Sequence, residues 1–180
     1  MANLSYGVSG SSYFDLCRKG QVFCAYAIVT APVIYSTAAG TGGPILWNNT
    51  PDKTAVILGM TFGSAVVTTV AAAIGLTGNT GSVGGATTAI DTVASLLIGG
   101  PASQMTVFRT ATPSTAGNFF LPLMDVHTGA LTVDTENFGF IPLDGLVCVQ
   151  PGAWVSIAAS ATASTLQAKF GLIWAEIAHI

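Results

Sequence analysis

Large side chains recur at every second position in two parts of this chain. In the first, Val56, Leu58, Met60 and Phe62 stand in series with Gly59, Thr61 and Gly63 between them. After Gly63-Ser64-Ala65 the series resumes as Val66, Thr68, Val70, Ala72, Ile74 and Leu76. Period two with β-branched enrichment predicts strands, so residues 55–76 read as two strands with a turn at 63–65. In the second part, Phe170, Leu172 and Trp174 alternate with Lys169, Gly171 and Ile173, which gives residues 166–177 one large apolar face.

Shorter apolar runs separated by turn residues fill the rest. Residues 21–35 read as one bent strand or two short ones, interrupted by Pro32. Residues 36–44 form a loop, 45–47 a short strand and 48–53 a polar turn. Residues 77–86 (TGNTGSVGGA) read as the longest glycine-rich loop. Residues 90–99 suit a strand or a short helix, 105–110 and 119–126 suit strands, and 131–133 and 138–141 suit short strands. Near the end, strands at 146–149 and 154–158 flank a tight turn at Gln150-Pro151-Gly152. About nine short strands with frequent turns predict an all-β fold, an antiparallel β-sandwich of jelly-roll type. Residues 21–180 are expected to form a single domain. Residues 1–20, polar and turn-rich, are expected to form an N-terminal arm or short helix.

A membrane alternative has to be met. Mean hydropathy is +0.65, and residues 55–76 are long enough to span a bilayer as a helix. That run nevertheless carries Gly59, Gly63, Gly75, Ser64 and three threonines, with no Trp or Tyr at its far end. Strands fit it better, and no membrane partner is expected. The opening MANLSYGVSG has neither a basic nor an apolar run, so no secretory leader is expected.

Charge changes the picture most. Only 5 Lys+Arg and 8 Asp+Glu are present, 7% of the 180 residues, where about 25% is usual. Spread over roughly 8,000 Å² of folded surface, this leaves about one charge per 600 Å². A surface this neutral predicts an oligomer or a lattice component. The basic residues Arg18, Lys19, Lys53, Arg109 and Lys169 are scattered, so no nucleic-acid partner is expected.

Candidate chemistry is sparse. The GxSxG elbow, GxGxxG, the P-loop and HExxH are all missing from the sequence. Asp125 and His127 share a strand face and resemble two members of a triad, yet nothing selects a nucleophile. Asp134 and Glu136 likewise share a face, which suits a solvated edge better than a carboxylate pair. His179 is penultimate. Cys17, Cys24 and Cys148 lack a CxxC spacing or a histidine partner and read as free thiols. Trp47, Trp154 and Trp174 are too dispersed for a sugar platform, and two of them read as core. No catalytic, metal or cofactor-binding residue is assigned, no cofactor is expected, and the chain is not expected to be an enzyme.

Two segments carry a resemblance. Leu143-Asp144-Gly145, then Val149-Gln150-Pro151-Gly152-Ala153, then Phe170-Gly171-Leu172-Ile173-Trp174-Ala175-Glu176-Ile177 resemble the closing "PPG … W-x-E-[IV]" meander of small tailed-bacteriophage virion proteins. Gly43-Pro44-Ile45-Leu46-Trp47-Asn48-Asn49, ahead of the apolar run from Ala55, is similar to a "GP-hydrophobic-[YW]-N" segment of the same group. The resemblance covers about half of the chain, mainly residues 43–76 and 143–177, and Gln150 stands where the family has a second proline. It implies a trimeric jelly-roll capsid decoration (cement) protein, or a head- or tail-fibre module that contacts a host surface. On the first implication the partners are further copies of the chain, as a homotrimer, and the major capsid protein. The location is the virion, assembled in the host cytoplasm, with residues 1–20 an arm reaching a neighbour. A jelly-roll coat protein is a further variant. The motifs carry no catalytic positions to transfer.

Overall fold

The computed structural model describes residues 10–29, 33–34, 44–67, 72–89, 93–126, 139–159 and 166–179. A helix, α1 (Gly10–Arg18), comes first. The strands that follow are β1 (Val22–Val29), β2 (Val33–Ile34), β3 (Ile45–Trp47), β4 (Lys53–Val67), β5 (Ala72–Thr80) and β6 (Val83–Ala89). The second half supplies β7 (Val93–Ser95), β8 (Thr106–Pro113), β9 (Asn118–Val126), β10 (Gly139–Val149), β11 (Ala153–Ala159) and β12 (Leu166–Ala178).

The strands form two sheets. The first has the order β10-β4-β12-β1-β7; the second runs β6-β8-β3-β11-β5-β9, with β2 added parallel to β11. Every other pairing is antiparallel. Eight of the strands pair in a nested series: β1 with β12, β3 with β11, β4 with β10, and β5 with β9. This is the pattern of one long hairpin rolled onto itself. The remaining β6, β7 and β8 widen the sheets beside β3 and β1.

Alternation along the strands builds the core between the sheets. Phe170, Leu172 and Trp174 of β12 point inward, with Phe23 of β1 and Ile57 and Met60 of β4. They meet Leu46, Ile74, Leu76, Val155 and Ile157 from the second sheet. The Phe23 and Trp174 rings lie 6.1 Å apart, and each fully buried side chain of this kind contributes about 1.5–3 kcal/mol. The all-β antiparallel sandwich expected from the pattern is what forms.

Four expectations are corrected. The even-numbered series does not keep one face, because Val56 and Leu58 pack outward beneath α1 while Met60 and Phe62 face the core. The cause is a bulge at Leu58, where the β12 ladder passes from Ile173↔Gly59 to Trp174↔Ile57. β4 also runs unbroken through residues 63–65, so the turn does not fall there. The glycine-rich loop is mostly strand: only Gly81 and Ser82 separate β5 from β6. Gly81 makes that tight connection in the left-handed region (φ 132°), against Ser114 and Thr115 side chains that leave no room for a Cβ. Finally, the strands expected at 138–141 and 146–149 are one strand, β10. It bulges at residues 143–146, opposite Leu58, through left-handed Asp144 (φ 47°) and Gly145 (φ 79°). The strand expected at 131–133 lies outside the described residues.

Candidate interaction surface

Of the acid and histidine pairs, only Asp125 falls among the described residues. Asp125 sits on β9 opposite Ala73, while His127, Asp134 and Glu136 lie outside the described residues. Among the described residues no group of three or more His, Cys, Asp or Glu converges. His179 instead ends β12, with Nδ1 3.0 Å from the Thr54 hydroxyl. Cys17, Cys24 and Cys148 are unbridged thiols. Burial pushes the Cys24 thiol up, partly opposed by a backbone hydrogen bond at Ala94, and burial also raises Cys148. Neither is primed as a thiolate nucleophile.

Buried polar side chains do occur, and they tie strands together. Asn48, at the end of β3, is fully buried. Its amide donates to the carbonyls of Lys53 (2.7 Å) and Val149 (2.9 Å), and its Oδ1 accepts from the Thr50 hydroxyl (2.7 Å) and amide (3.1 Å). Its backbone bridges the β10–β11 turn, donating to Ala153 and accepting from Gly152. One asparagine thus joins β3, β4, β10 and β11. At the far end of β12, the carboxylate of Glu176 accepts from the Ser103 hydroxyl, from the Gln104 amide (3.2 Å) and from the Trp174 indole (3.4 Å). Lys53 Nζ lies 3.8 Å away. Trp174 and Glu176 share a strand face, so the W-x-E spacing is a physical one: the ring reaches the acid two residues on. A carboxylate surrounded by donors in this way is an anchor for the 103–105 segment rather than an acid or base.

The open surface lies on the outer side of the first sheet. Tyr13, Leu16 and Cys17 of α1 pack there on Val22, Leu58 and Ala175. The Tyr13 hydroxyl donates to Asp144 at the β10 bulge. Partial burial first, then that bond and the Asp144 charge, push the Tyr13 phenol up to about 12. Beyond the helix, cross-strand register aligns Phe140, Thr61, Gly171 and Tyr26 in one row. The row is aromatic at both ends and small in the middle, and Phe140 and Tyr26 are both exposed. Gly171 is needed there because a Cβ would come within 2.4 Å of the Thr61 hydroxyl oxygen.

Between α1 and the sheet remains a groove of about 240 Å³. Its lining is apolar, with Cys17, Val22, Leu58, Leu96, Phe140 and Ile173 among the contributors, and Asp144 stands at its edge. Beside it the chain turns through Leu96, Leu97 and Ile98. Ile98 is 99% exposed, and on the β10 bulge Leu146 is 72% exposed. The turn is held firmly: Leu96 N–H donates to Val22 (2.9 Å), Leu97 N–H to the Ser95 hydroxyl (3.2 Å) and Gly100 N–H to Leu97 (2.7 Å). Residues 90–99 read as a strand or helix from the sequence, and nothing in an apolar triplet before Gly99-Gly100-Pro101 signals that it faces water. Large apolar side chains as exposed as Ile98 and Leu146 invite burial against another surface.

The charges do not offset this. A surface of 9194 Å² shared among 13 charged side chains leaves about one per 700 Å². Glu176 is buried against Lys53, and Asp144 is engaged by Tyr13, which thins the exposed charge further. No helix among the described residues is long and apolar enough to cross a membrane, and residues 55–67 and 72–76 of the uncharged run belong to β4 and β5. No protein-family model, no curated protein and no solved structure matches this chain.

Proposed function

We propose that this chain is a bacteriophage virion structural protein: a capsid decoration (cement) protein that binds the shell as a homotrimer and stabilises it. The observation that carries the reading is the charge poverty of the whole surface, about one charged side chain per 700 Å², together with exposed Phe140, Leu146 and Ile98. Interfaces between copies and neighbours are depleted of charge in just this way. The nested pairing of β1·β12, β3·β11, β4·β10 and β5·β9 supports a jelly roll, the architecture that the family resemblance implies. The two resembling segments also meet in space, since Asn48 bonds to the Val149 carbonyl. Its partners are then further copies of itself and the major capsid protein, and its place is the virion. A clamp of this kind needs no turnover chemistry, and the buried polar groups described above all serve as ties.

Particle composition tests the proposal. Purified virions are expected to contain this chain in hundreds of copies, and its removal is expected to lower the temperature at which the shell opens. A handful of copies per particle indicates the fibre role instead. Particles without the chain overturn both.

A further inference from the structure

We draw no further inference here: the strongest candidate, the apolar groove between α1 and the outer face of the first sheet, lined by Leu58, Leu96, Phe140 and Ile173, is an unpartnered face, and nothing in the structure shows what covers it.

Discussion

Replacing Asn48 with alanine is expected to cost this fold more than almost any other single polar substitution. The change removes the donors to the half-buried Lys53 carbonyl and the buried Val149 carbonyl, and the acceptor for the Thr50 amide and hydroxyl. Each buried polar group left without a partner costs about 1–3 kcal/mol. The Thr50 hydroxyl can turn to a new acceptor, and water can reach the half-buried Lys53 carbonyl. Of the roughly 3–9 kcal/mol for three orphaned groups, the expected cost is therefore the lower part, about 3–5 kcal/mol. For a chain of this size each kcal/mol lowers the melting temperature by about 2–4 °C, so the expected fall is roughly 6–20 °C. Melting is followed by circular dichroism at one fixed protein concentration, since self-association itself shifts the midpoint. Asn48→Asp sharpens the test. The carboxylate keeps the acceptor for Thr50 but turns oxygen toward two carbonyl oxygens, which disfavours its charged form. The folded-state acid therefore titrates above its unfolded value of about 3.9. Stability of the Asp variant is best below that value and is lost as pH rises through the folded pKa. The Ala variant has no such dependence relative to wild type. A fall of less than about 3 °C for Asn48→Ala, or parallel pH profiles for the two variants, refutes the account of Asn48 as the tie between four strands.

Two further expectations follow from the outer face. Gly171→Ala is expected to destabilise by about 1–3 kcal/mol through overpacking against Thr61, and Thr61→Gly in the same chain is expected to recover part of it, as a double-mutant melting cycle shows. The helix α1 is expected to loosen in alkali. The Tyr13 phenol is raised from 10.0 to about 12, so its stabilising hydrogen bond is fully present below pH 10 and lost as pH climbs toward 12. Proton exchange at α1 amides measured across that range should show the loss in wild type, and Tyr13→Phe should flatten it.

Strands were the legible part of this protein. Alternation at residues 166–177 reveals β12 because its neighbours on both sides keep the ladder in register over the core residues Phe170 and Leu172. Alternation at residues 56–62 misleads about facing, because the bulge at Leu58 exists only in relation to β12 and β10, which are distant in sequence. Asn48 and Glu176 carry no signal of their roles beyond being polar in apolar surroundings: their partners at Val149 and Ser103 are brought up by the fold. The exposed Leu96–Ile98 turn fails for the opposite reason, since apolar composition predicts burial while the fold leaves these side chains in solvent.

The placement of β12 also sets when this protein can come into being. It lies between β4 and β1, pairing Val22 with Ala175, so the first sheet is split until β12 itself has left the ribosome. Closing a contact across most of the chain is slow, and domains ordinarily fold as units once their strands are available. Until then Phe23 and Ile57 lack the Trp174 and Phe170 side chains that seal them. Assembly is thereby gated by synthesis. An interrupted chain presents a half-built sheet with the α1 footprint missing Ala175.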